Sequence, residues 1–232
     1  MDTSSKIFLV LFTLTSILHI IEELKIDLKK KQNSILSSIT KLLLIPFLLV
    51  FYIISAITVY PLIVTALVSG FLGDLFLLLQ RLYRKERFFY LGLGSFALGH
   101  VFYIFNFIIL TSFHNFRWYS IFLTFPFILG GIIITKILLV HIKKKEEKIS
   151  VVFYILMMVI LGISSSILFA SSYRTSELLI YLGAIFFAIS DGTNGYCRFV
   201  KPIKYKGTII MSTYIVAQFL IIYGMSSLTN II

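Results

Sequence analysis

Two aspartates carry the strongest chemical signal in this sequence. Asp74 interrupts the apolar run SGFLGDLFLLL (69–79), and Asp191 interrupts FFAISDGTNGYCRF (186–199). A carboxylate in hydrocarbon is costly, so ionisable groups inside a membrane-type segment point to an interior pathway or reaction site. Each aspartate stands seven positions before an arginine, Arg81 and Arg198. On a helix that spacing is a depth of about 10 Å below the basic rim. Two carboxyls at one level in low dielectric resist ionising together and are expected to share one proton, a property of the pair. One carboxylic acid beside one carboxylate is the combination that general acid–base chemistry uses.

Other polar residues fall near that level. Lys41 closes the inner end of its apolar run, and Tyr214 lies about 12 Å in from Lys206 along its own segment. Ser190 flanks Asp191, and Asn194 follows at i+3, on the same helix face. His100 and Gln218 occupy a deeper layer, Gln218 one turn beyond Tyr214. Gly70, Gly73, Gly99, Gly192 and Gly195 adjoin these residues and leave room for close helix contacts or for a ligand. Each has a plainer reading as well. Lys41 can snorkel to the interface, Tyr214 and Gln218 can bond neighbouring helices, and His100 can be an interior histidine with a structural partner. His19, His114 and His141 lie near expected loop ends and suggest no specific role.

The elements that position these groups are membrane helices. The chain has 232 residues, 59% hydrophobic and 13% charged, and its mean hydropathy is +0.99. Continuous apolar runs of this kind predict spanning helices, not the alternating strands of a barrel. Eight segments are expected, near 6–22, 39–56, 59–80, 88–110, 119–140, 150–170, 178–198 and 207–227, forming a single integral-membrane domain over 1–232 and an all-α polytopic bundle. The first is short, and Glu22 and Glu23 follow it directly. It has a weak basic flank and no small-residue cleavage site, so it is kept as a helix.

Charge alternates between the connections. Lys25, Lys29, Lys30 and Lys31 fill the first. Arg81, Arg84, Lys85 and Arg87 fill the third. Lys143, Lys144, Lys145 and Lys148 fill the fifth, and Arg198, Lys201, Lys204 and Lys206 the seventh. The intervening connections carry only Arg117 and Arg174. The positive-inside rule places the basic connections in the cytoplasm and both termini outside. A net charge of +11 is thereby explained as topogenic, and no nucleic-acid partner is expected. One cysteine, Cys197, permits no internal disulfide, and no Cys/His cluster has zinc spacing. No metal or cofactor is expected. Oligomeric state is left open.

Five pieces of the sequence resemble, in order, the YhhN-like membrane proteins, the family that includes lysoplasmalogenase. They are TKLLLIP (40–46), ALVSGFLGDLFLLL (66–79), FALGHVFY (96–103), GAIFFAISD with the later RF (183–199), and TYIVAQFLI (213–221). Leu42 stands where the family pattern has a proline. GTNG follows Asp191 where the family continues with small apolar residues, which makes Asn194 an added polar group.

The resemblance implies hydrolysis of the vinyl-ether bond of a lysoplasmalogen to a fatty aldehyde and glycerophosphocholine or glycerophosphoethanolamine. The implied partners are a lysophospholipid substrate and the bilayer, with no cofactor. Asp74 and Asp191 are the expected catalytic residues. Lys41, His100, Tyr103, Ser190, Asn194, Tyr214 and Gln218 are expected around the substrate, and Lys41, Arg81 and Arg198 are candidate phosphate contacts. Asp191 is favoured as the acid, with Ser190 and Asn194 to tune it, although the roles can be reversed. The expected setting is a bacterial inner membrane, with the site toward the cytoplasmic leaflet. Two alternatives stand: a proton- or cation-coupled transporter, and a non-catalytic lipid-binding protein.

Overall fold

In the computed structural model, which describes residues 2–29, 34–112 and 118–228, eight long helices follow one another. They are α1 (Thr3–Lys29), α2 (Ile35–Ser55), α3 (Pro61–Tyr83), α4 (Glu86–Leu110), α5 (Phe125–His141), α6 (Lys145–Ser172), α7 (Thr175–Phe199) and α8 (Lys206–Ser226). No strand occurs among the described residues. All eight are long and apolar enough to cross a membrane, α5 together with the end of the 3-10 segment Trp118–Thr124 that leads into it. The chain is therefore an all-α, integral multi-pass membrane protein. Lys30, Lys31, His114 and Arg117 lie outside the described residues.

Local sequence sets the helix ends. Ser34 caps α2 by accepting a hydrogen bond from the Ser37 amide. Pro61 opens α3 at a position that needs no amide donor. Arg84 and Tyr173 end α3 and α6 in the left-handed conformation that turns the chain out of a helix.

Six helices close into a ring. α2 packs on α3, α3 on α4, α4 on α6, α6 on α7, α7 on α8, and α8 on α2. α1 lies outside, over the seam of α2 and α8, and α5 lies outside over the seam of α6 and α7. Each half of the chain thus supplies one outer helix followed by three ring helices. The backbones of α3 and α7, across the ring, make no close approach among the described residues. The tightest seams, α3 with α4 and α7 with α8, use small residues. An ideal Cβ on Gly99 would lie 3.2 Å from the Ala66 carbonyl oxygen, and one on Gly183 would lie 2.9 Å from that of Ala217. In lipid, such close packing replaces the hydrophobic drive between helices. The outer helices face outward with apolar side chains, such as Leu14 and Ile17 on α1 and Leu129 and Ile133 on α5.

The connections predicted to be basic meet at one end of the bundle. There Arg198 bonds Glu86 at 2.8 Å, and Arg81 lies 3.8 Å from Glu23. The same end corrects the first segment. α1 runs on through Glu22 and Glu23 to Lys29 because its acidic residues turn toward partners. Ser34 donates to Glu22 at 2.8 Å and Ser37 to Glu23 at 2.5 Å. Asp27 accepts from the Gly207 and Thr208 amides at 3.3 and 2.9 Å and from the Thr208 hydroxyl at 2.8 Å. It does for α8 what the helix's own N-cap residue, Tyr205, does not do by side chain. Asp27→Ala is expected to lower stability by about 1 kcal/mol, read as thermal unfolding in detergent, whereas Asp27→Asn, which keeps an acceptor oxygen for Thr208, should lose much less. His19 also departs from expectation. It is fully buried within α1, with Nδ1 2.9 Å from the Thr40 hydroxyl, and is not at a loop end.

Candidate active site

Asp74 on α3 and Asp191 on α7 line one cavity of about 520 Å3 near the basic end of the ring. Each aspartate takes its partner from the preceding ring helix. For Asp74 this is Lys41 of α2, whose ammonium lies 3.2 Å from Oδ1, with the two side chains 11% and 2% exposed. For Asp191 it is Tyr154 of α6, whose hydroxyl donates to Oδ2 at 2.5 Å. Asp74 has a second donor across the ring, the Tyr214 hydroxyl of α8 at 2.9 Å. The two carboxyls are therefore not equivalent. One faces an ammonium and a phenol; the other faces a phenol and, among the described residues, has no cation bonded to it.

Behind Asp74 the polar contacts continue inward. Gln218 donates to the Tyr214 oxygen at 3.5 Å and accepts from the Tyr103 hydroxyl at 3.0 Å. Tyr103 and Gln218 lie outside the cavity wall. They fix the rotamer of Tyr214 and so the direction from which it approaches Asp74. An ideal Cβ on Gly70 would make ordinary contact with Gln218 Nε2 at 3.5 Å, so the space there does not by itself require glycine.

The remaining expected residues divide. Ser190 lines the cavity, but its hydroxyl donates to the Ile210 carbonyl at 3.0 Å and so ties α7 to α8. Asn194 lines the cavity one turn beyond Asp191. His100 is 1% exposed and lies behind the wall. Its ring is 5.5 Å from that of Tyr154 and 5.2 Å from that of Phe187, and neither ring nitrogen has a hydrogen-bond partner among the described residues. Of the candidate phosphate contacts, Lys41 and Arg198 line the cavity and Arg81 does not. Arg198 lies over the Phe89 ring at 3.4 Å while bonded to Glu86.

The glycines divide similarly. A Cβ on Gly73 would crowd the Phe96 ring at 2.7 Å, and one on Gly195 would lie 3.1 Å from Leu138, whereas one on Gly192 would meet nothing within 4 Å and lies beside open cavity. Among the described residues, no group of three or more His, Cys, Asp or Glu is placed to hold a metal ion.

Tyr154 is the site residue that sequence reasoning missed. It stands nine positions after Lys145, the start of α6, which puts it about 13 Å along that helix. Counting along the helix gives its depth but not the way its ring faces, so the sequence did not set it apart.

A multi-pass membrane protein with an acid pair lining a cavity inside a helical ring is the class defined so far. Comparison with known proteins narrows it: the YhhN family model matches residues 36–225, and the chain belongs to that family. The human protein lysoplasmalogenase TMEM86A is 45% identical over 51 residues, which is 22% of this chain and 21% of that one. The matched stretch thus spans about a fifth of that relative's length. No solved structure matches the chain.

Proposed function

We propose that this protein is a membrane hydrolase that cleaves the vinyl-ether bond of lysoplasmalogens. One observation carries the reading: two aspartates with unlike partners, Asp74 buried and Asp191 half-buried, line one cavity whose remaining wall is mostly apolar. Family membership and the human relative's name supply the substrate class.

The chemistry needs an acid at carbon, a negative charge near a cation, and a water. Asp191, with no cation bonded to it, holds the proton of the pair. It transfers that proton to the β-carbon of the vinyl ether, whose π electrons form the new C–H bond. The adjacent carbon becomes an oxocarbenium ion. Asp74, kept ionised by Lys41, faces this cation and takes a proton from the water that adds to it. Paired carboxylates serve a similar cation in glycosidases. The hemiacetal then transfers its hydroxyl proton through the pair to the glycerol oxygen. The C–O bond breaks, giving aldehyde and glycerophospho-alcohol with the net consumption of one water. Lys41 and Arg198 are the cations positioned toward a phosphate at the cavity's basic end, which faces the cytoplasmic leaflet in this reading.

Purified protein is expected to release fatty aldehyde from a lysoplasmalogen and none from the saturated alkyl-ether lysolipid, which has no double bond to protonate. Ion flux in liposomes without aldehyde would favour transport. Binding of both lipids with neither product nor flux would favour a lipid-binding role.

A further inference from the structure

The cavity, about 520 Å3, is larger than the acid pair requires. Beyond Asp191 it continues as a cleft between the outer helix α5 and the ring helices α6 and α7. On α5 the wall runs from Pro126 to Leu138, but Leu138 meets Gly195 on the basic side of Asp191, so the part beyond the acid, from about Ile134 to Phe127, is about 10 Å of helix. Opposite α5 stand Ile155 and Val159 of α6 and Ile185 and Ala188 of α7, all apolar. The middle of the cleft is open at Gly130, where an ideal Cβ would meet nothing within 4 Å.

The end away from the acids is closed. Phe127 is 4% exposed, its ring overlies Gly162 so closely that a Cβ there would overlap it, and it meets Tyr181 edge-on at 5.8 Å. Tyr181 and Ser166 both donate to the Leu123 carbonyl at 3.1 Å, which pins the chain entering α5.

A wall without polar side chains selects hydrocarbon. The hydrocarbon core of a bilayer is about 30 Å thick, so a chain in one leaflet extends about 15 Å, and the cleft beyond the acids takes the greater part of that length. We propose that this cleft receives the single hydrocarbon chain of the lipid whose headgroup-proximal bond lies at Asp74 and Asp191, with Phe127 as the stop that sets the longest chain accepted. This deepens the hydrolase reading and rests on it for the position of the reacting bond.

Because the chain passes from one apolar medium into another, affinity is expected to change little with length up to the stop. Past the stop it should fall about tenfold, as overpacking a filled site does. The test is native mass spectrometry of the full protein in detergent with uncleavable alkyl-ether lysophosphocholines of graded chain length. Phe127→Ala should move the limit to longer chains. Gly130→Leu, which projects into open space and leaves the packing intact, should move it to shorter ones. Asp191→Asn should leave it unchanged.

A limit that stays fixed in both cleft variants, with thermal unfolding showing them folded, overturns the proposal. So does binding that ignores chain length in the wild type. A shifting limit with no aldehyde from lysoplasmalogen keeps the chain site and removes the hydrolase. Aldehyde release with a fixed limit does the reverse.

Discussion

Asp191→Asn is expected to abolish aldehyde release while the protein keeps its fold. The expected loss is about 10²–10⁴-fold, the range that a positioned general acid contributes. Asparagine fills the same volume, and its carbonyl oxygen can accept the Tyr154 hydroxyl in place of Oδ2. No cation is bonded to Asp191, so neutralising it strands no opposite charge. Thermal unfolding should therefore barely move. This separates the variant from one that fails by unfolding. Aldehyde release within tenfold of wild type would take the acid role away from Asp191, and the shared-proton mechanism with it.

The spans and the depth of the acids were legible in the sequence because both depend on counting. Apolar runs gave eight segments, and equal distances to Arg81 and Arg198 put Asp74 and Asp191 on one level; the shared cavity is consistent with this. Tyr214 followed from the same arithmetic, and its bond to Asp74 agrees. What counting cannot supply is direction around a helix. Asn194 and Ser190 both flank Asp191, yet the Ser190 hydroxyl turns to α8. A tyrosine in an apolar run can equally face lipid, interface or interior, and so Tyr154 passed unnoticed. Glu22 and Glu23 marked the end of the first segment only on the assumption that acids face water. Their partners, Ser34 and Ser37, lie at the cap and in the first turn of the next helix.

The likeness between the two halves was hidden for a related reason. Lys41 and Tyr154 share no chemistry, and only the ring shows that each serves the aspartate of the following helix. That difference also bears on mechanism. A symmetric pair of carboxyls would have no reason to divide the proton one way. An ammonium on one side supplies the reason, since it favours the charged form of Asp74 over that of Asp191.

Lys41 can be tested as the source of that asymmetry. Lys41→Met removes the ammonium but leaves Asp74, 2% exposed, with only the Tyr214 hydroxyl as donor. Breaking a buried ion pair from one side costs about 3–5 kcal/mol, because the remaining charge has lost its compensation. For a chain of this size that is a fall in unfolding temperature of about 10 °C. Asp74→Asn strands the ammonium and should also destabilise, by less, since Lys41 is the more exposed partner and can turn its head toward water. Combining the two removes both charges, and neutral replacements of a buried pair are often tolerated without loss. The double variant should therefore recover most of the stability lost by Lys41→Met, with a coupling of about 2 kcal/mol or more. Additive losses would show that the 3.2 Å contact carries no energy. Activity then distinguishes structure from chemistry. A double variant that is stable and releases no aldehyde keeps Asp74 as the carboxylate facing the cation. One that is stable and active shows that Asp74 and Lys41 only hold α3 to α2, and leaves Asp191 to act without a charged partner.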